Sequence, residues 1–148
     1  MTIIGCTGTR HLDDAGRNLI VDALSELDPH TDRLVVGGCV GADAYIGAVA
    51  KALGLPVHVV LPADRKLVDP HWRAYADSWE EGGVYRQRNQ RIVDLADYVF
   101  AFPNYPEAED NPHSGTWMTV RMARRAKKLA YLKPQHPHQG REGTRSGV

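Results

Sequence analysis

The chain is poor in features that mark several large protein classes. It has 2 cysteines among 148 residues and no Cys-x-x-Cys, which excludes a disulfide framework and a thioredoxin-type motif. Its 18 Lys and Arg are matched by 18 Asp and Glu, leaving no surplus of positive charge. Generic attraction to a nucleic-acid backbone or an anionic membrane needs that surplus. No apolar run approaches the ~20 residues a membrane helix requires. Met1-Thr2-Ile3-Ile4 leads straight into structured-looking sequence, without the basic and long apolar stretches of a signal peptide. There is no internal repeat. The expectation is one soluble, cytoplasmic domain, with neither membrane nor nucleic acid as partner.

What is present fits that class. Hydrophobic residues make up 43% and charged residues 24%, an ordinary balance for a folded domain. Short apolar runs alternate with amphipathic stretches. Thr2–Cys6, Arg33–Gly37, Val57–Leu61, Tyr98–Phe102 and Leu129–Leu132 read as strands. Between them, helical stripes are expected over Leu12–Leu27, through Tyr45, Ala48, Val49, Ala52 and Leu53, through Ile92, Val93 and Ala96, and over Thr116–Ala126. Strands alternating with helices predict βαβ units and a parallel sheet. From Pro134 onward apolar residues nearly vanish, so the domain is expected to span residues 1–133 and the tail 134–148 to be disordered.

Ligands of open α/β sheets bind beyond the carboxyl ends of the strands, and three connections there are unusual. The first, Gly5-Cys6-Thr7-Gly8-Thr9-Arg10, joins small residues and hydroxyls to an arginine fork suited to phosphate or carboxylate. The second, Gly37-Gly38-Cys39-Val40-Gly41-Ala42-Asp43, is a glycine turn opening a helix; it lacks the Gly-Lys-Ser/Thr of a triphosphatase loop. Asp43 suits ribose hydroxyls and suits the helix N-terminus equally well, and Cys39 reads as a small buried side chain. The third, Pro112-His113-Ser114-Gly115-Thr116, is a hydroxyl-rich helix start suited to an anion. His113-Ser114 does not make a triad, because no Gly-x-Ser-x-Gly elbow is present and adjacent residues rarely face each other productively.

Arg86, Arg88 and Arg91 lie on or near a helix, with Arg88 and Arg91 on one face. One of them aimed at the crevice would pair a phosphate bidentately, although such runs are usually solvated. Trp72, Tyr75 and Trp79, at i, i+3 and i+7, are expected along one side of a short helix as core or dimer contacts. Arg121, Arg124, Arg125, Lys127 and Lys128 form a basic segment at a helix C-terminus, where they complement the dipole. His136 and His138 have no further ligand near them, so no metal is expected.

Taken in order, these turns resemble the Smf/DprA–LOG superfamily of Rossmann-like nucleotide-binding proteins, and its YspA-like branch in particular. The resemblance rests on Thr7-Gly8-Thr9-Arg10, Gly37-Gly38-Cys39-Val40-Gly41-Ala42-Asp43, Arg88-Asn89 and Ser114-Gly115-Thr116. It implies a three-layer α/β domain with about five strands ordered near 3-2-1-4-5, a homodimer and no cofactor. It implies a nucleotide-type ligand at Thr7, Gly8, Thr9, Arg10, Gly37, Gly38, Gly41, Asp43, Arg88, Asn89, Ser114, Gly115 and Thr116.

The LOG members are phosphoribohydrolases that free the base of a nucleoside 5′-monophosphate with an arginine, matched by Arg88, and a glutamate, matched by Thr119. A threonine supplies no carboxylate, which tilts the expectation from hydrolysis toward binding. Glu107, Glu109 and Asp110, in the Asn104–His113 insertion, are the acids available to replace it if that loop is a lid and not a solvated excursion. Base cleavage and DNA binding, the latter through the basic segment, stand as alternatives.

Overall fold

The computed structural model describes residues 1–137. Its strands are β1 (Thr2–Gly8), β2 (Asp32–Val36), β3 (Val57–Leu61), β4 (Ser78–Glu81), β5 (Tyr98–Phe102) and β6 (Leu129–Leu132). Its helices are α1 (Asp14–Ser25), α2 (Ala42–Leu53), α3 (Tyr85–Leu95) and α4 (Gly115–Arg125). All neighbouring strands pair in parallel, in the order β4-β3-β2-β1-β5-β6.

The sheet is covered on both faces, which is why its inner strands are apolar runs without polar alternation. Leu34 and Val36 of β2 join Ile20 and Leu24 of α1 and Ile46 and Ala50 of α2 in the larger core. Val35, between them, faces the other way and packs with Val60 and Ile92. Val93 of α3 and Met122 and Ala123 of α4 extend that second layer over Val99. The helix ends carry the expected chemistry. Asp13 caps α1 by accepting from the Gly16 amide at 3.2 Å, and Gly54 ends α2 in the left-handed region.

The five expected strands take the expected order, and a sixth is added beyond β3. Ser78–Glu81 is this edge strand, so the stripe of Trp72, Tyr75 and Trp79 is not one helix. Only Trp72–Ala74 forms a 3-10 turn; Trp72 then meets Trp79 edge-on across 5.4 Å, from turn to strand. Trp72 and Tyr75 are core residues, whereas Trp79 is half exposed.

Packing also continues past Lys133. The Gln135 amide donates to the carbonyl of Pro103 at 2.9 Å and that of His136 to Asn104 at 3.0 Å. His136 pairs with Asp13. His138, the other histidine weighed as a metal ligand, lies outside the described residues, as does the rest of the tail. No group of three or more metal-ligating side chains occurs among the described residues, and no helix there is long and apolar enough to cross a membrane.

Candidate functional site

A cavity of about 340 Å³ opens at the carboxyl end of the sheet. The β1–α1 turn supplies Thr7, Gly8, Thr9, Arg10 and His11, and α2 supplies Asp43, with Cys39 just before it. From the other helical layer come Tyr85, Arg88 and Asn89 of α3 and Gly115, Thr116 and Met118 of α4, with Ser114 as cap. The expected turns therefore meet in one place. Gly37, Gly38 and Gly41 do not reach the cavity wall, because protein fills the space beside them.

Gly41 shows why. It sits at φ 84° as the N-cap of α2, and a Cβ there would come within 2.6 Å of the Arg10 backbone. The turns carrying Arg10 and Gly41 are thus pressed together, and the Ala42 amide donates to the Thr9 carbonyl at 2.9 Å. Gly37 leaves room for two charged groups: a Cβ there would strike the Arg88 guanidinium on one side and approach the Asp43 carboxylate to 2.9 Å on the other. Gly115 differs, since the nearest atom to a Cβ built on it is 3.8 Å away.

Arg88 is buried, with 6% of its surface exposed. Nη1 donates to the carbonyl of Gly37 at 2.6 Å and more weakly to that of Val60 at 3.4 Å, while Nε donates to Asn89 Oδ1 at 2.8 Å. Nη2 has only the Cys39 thiol, at 3.8 Å, among the described residues. Asp43 accepts from the Cys39 amide at 3.1 Å. Burial pushes its carboxyl above the usual value, against the pull of Arg88 and the amides of Cys39 and Gly37. Burial, reinforced by Asp43, likewise pushes the Cys39 thiol up, so Cys39 is no activated thiolate. The floor of the cavity is a buried guanidinium and a buried carboxyl held apart by a glycine.

The rim is different in kind. Arg10, His11 and His113 are exposed there. At the start of α4, Ser114 Oγ accepts from the Trp117 amide at 3.4 Å. The amides of Gly115 and Thr116 precede the reach of the helix's own carbonyls and so remain available to an acceptor. Amides of this kind, added to the helix dipole, favour an anion.

The Asn104–His113 segment is neither a free lid nor a solvated excursion but a fastened wall. Asp110 Oδ2 accepts from the Trp117 indole at 3.1 Å and from the Tyr105 amide at 3.3 Å. Glu107 pairs with Arg121 at 3.1 Å and Arg124 at 2.8 Å on the outside of α4, and these arginines hold its carboxyl below the usual value. Of the acids weighed on this segment, Asp110 is the one that lines the cavity, and its carboxylate is engaged by the wall itself. Thr119 is buried and donates to the Gly115 carbonyl at 2.9 Å, outside the cavity lining.

Tyr85, Leu67, Met118, Asn104 and Asn111 also line the cavity without having been marked by any motif. Tyr85 lies one helical turn before Asn89, so it follows once Arg88-Asn89 is placed on the site. Leu67 comes from the long β3–β4 connection, and no local pattern announces it.

No protein-family model matches the chain, and no curated protein matches it. Solved structures do. The structural-genomics target TM1055 superposes with TM-score 0.68 at 16% identity, covering 93% of this chain and 77% of that one. DNA processing protein A from Helicobacter pylori, described for its single-stranded DNA binding mode, gives 0.66 at 16% identity, covering 99% and 73%. The Moco carrier protein from Chlamydomonas reinhardtii gives 0.65 at 21% identity, covering 90% and 78%. Such identities speak to architecture alone, and on architecture they agree: the chain shares the Rossmann-like parallel α/β fold of these structures.

Proposed function

We propose that the cavity binds a nucleotide or a nucleotide-derived small molecule, as the YspA-like resemblance implies. One observation carries this reading: the start of α4, the β1–α1 turn with Arg10, and Arg88 all converge on one cavity of about 340 Å³. That volume lies in the range of small-molecule sites, roughly 300–1,000 Å³. In this reading Thr7, Ser114 and Thr116 donate to phosphate, Arg10 pairs its charge, and Asp43 and Asn89 face the ribose. A solved neighbour that carries the molybdenum cofactor supports a small organic ligand. The homodimer and the cytoplasmic location belong to the same proposal; light scattering and cell fractionation check them.

The test is calorimetric titration with AMP, GMP, CMP and UMP, followed by chromatography for free base. Binding without base release supports a sensor or carrier. Base release assigns a phosphoribohydrolase that works without a glutamate at position 119. Absence of binding to every member of the panel rejects the nucleotide reading.

The likeness to DNA processing protein A keeps nucleic acid in view as a second reading. The basic segment supports it weakly, because Glu107 engages Arg121 and Arg124, and Lys128 donates to the Val93 carbonyl at 2.8 Å. An affinity for single-stranded DNA that climbs steeply as salt is lowered would favour it.

A further inference from the structure

The residues just beyond the last strand tie together two loops of the cavity rim. Gln135 is 6% exposed although it lies outside every helix and strand. Its Nε2 donates to the His11 carbonyl at 2.8 Å and to Asn104 Oδ1 at 2.6 Å, and its Oε1 accepts from the Asp13 amide at 3.0 Å. Thus one amide side chain holds the β1–α1 turn through two backbone groups and the Asn104–His113 wall through a third bond. Its backbone amide adds the bond to Pro103. His136 repeats the pattern one residue later: its ring pairs with Asp13 on one loop and lies 5.4 Å from the Tyr105 ring on the other. On α1, Gly16 makes room, since a Cβ there would collide with Gln135 Oε1.

The loops so joined are those that carry Arg10 and His11 on one side and Asn104, Asp110 and Asn111 on the other, all of them cavity wall. Neither loop hydrogen-bonds the other side chain to side chain across this gap among the described residues. The link between them near the rim runs through Gln135 and His136.

We propose that Gln135 and His136 form a latch that sets the width of the cavity mouth, so that capture and release of the ligand depend on a segment outside the sheet. A buried amide with both its donor and acceptor sides engaged fixes geometry in a way that an apolar side chain does not. Glutamate has the same size, but the oxygen that replaces Nε2 faces the His11 carbonyl, which can only accept, so that bond becomes a repulsion and the bond to Asn104 Oδ1 is lost. Gln135→Glu should therefore unfasten the latch without leaving a hole. The ligand-gating part rests on the cavity being the binding site; the fastening part does not.

The experiment is amide hydrogen exchange of the free protein, wild type against Gln135→Glu and His136→Ala. Expected is at least about tenfold faster exchange in 11–13 and 104–111 for Gln135→Glu, a smaller rise for His136→Ala, and unchanged β3 amides. AMP serves as the kinetic probe, and its dissociation from Gln135→Glu should be faster by a similar factor. Unchanged exchange in both rim loops of a folded variant overturns the latch. If Gln135→Glu does not fold, His136→Ala decides by the same criterion. Should AMP not bind the wild type, only the nucleotide reading fails, since the exchange result needs no ligand. Faster exchange with unaltered AMP dissociation would leave Gln135 a structural fastener and overturn its gating role.

Discussion

Arg88 Nη1 donates to the carbonyl oxygen of Gly37 at 2.6 Å, fastening the first turn of α3 to the end of β2 from across the sheet. The same guanidinium floors the cavity and partly compensates the buried Asp43. Its removal orphans two carbonyls and withdraws the nearby positive charge that offsets part of the burial of Asp43. Arg88→Ala is expected to cost about 2–4 kcal/mol of stability, on the scale of leaving two buried carbonyls without their donor. Urea unfolding of the variant measures it. A loss below 1 kcal/mol would show that the clasp is dispensable.

Arg10 separates binding from stability because it is exposed at the rim. Arg10→Ala should leave the unfolding midpoint nearly unchanged. It should weaken nucleotide binding by about 1.5–3 kcal/mol, the worth of a hydrogen bond to a charged group. Calorimetry beside a melting curve distinguishes the two effects.

Asp43 gives a pH signature of definite sign. Its folded-state value is raised above that of the unfolded chain, so the folded state holds the proton more tightly. This contribution is fully present below the unfolded value and is lost as pH rises through the folded one. Glu80 and Glu107, whose values are lowered, act oppositely: their contribution is present above the unfolded value and is lost as pH falls. Asp43→Asn should therefore gain relative to wild type as pH is raised from about 3 toward about 7, a range that begins below the ordinary aspartate value of about 3.9 and rises past it. A flat difference between the two denaturation series across that range would contradict the assignment.

Gly41→Ala is expected to destabilise the protein by about 2 kcal/mol or more. Gly41 has φ 84° and ψ −127°, a combination open to glycine and costly to alanine by about 1–3 kcal/mol, and the added carbon meets the Arg10 backbone, which cannot step aside as a flexible side chain would. The same change should shift Arg10 and reduce nucleotide affinity. Thermal melts and the calorimetric panel report on each.

Thr119→Glu, the change that restores the hydrolase glutamate on paper, places a carboxylate where 1% of the residue is exposed. Several kcal/mol of destabilisation is expected from burying an unpaired charge, with no gain of base release. A stable variant that frees base would require Thr119 to face the cavity.

The strands of the central sheet and the three turns were legible because both faces of a parallel sheet demand apolar runs and because glycines and hydroxyls cluster where such strands end. The edge strand was not. Ser78-Trp79-Glu80-Glu81 is short and acidic, as suits an edge, and its aromatic spacing with Trp72 and Tyr75 mimics a helix. Pairing with β3, from His58 to Leu61, is a tertiary choice. The glycine-rich turn stands out in the sequence, but what Gly37 and Gly41 make room for, the Arg88 guanidinium and the Arg10 backbone, comes from distant segments. Gln135 was hidden in a polar stretch, and its partners His11, Asp13 and Asn104 are distant in sequence. No local pattern reports such contacts.

The strand order carries a consequence for how the molecule is assembled. Residues 2–81 complete four neighbouring strands, β1 to β4, in the order in which they occur along the chain. β5 and β6 then dock on the other side of β1, with partners as far apart as Gly8 and Phe102. Contacts of such long span are closed late because their loops are costly to close. The cavity takes its wall from both halves and its fastening from Gln135. It is therefore complete only when both halves of the sheet are joined, and it depends on contacts made as late in the chain as Gln135.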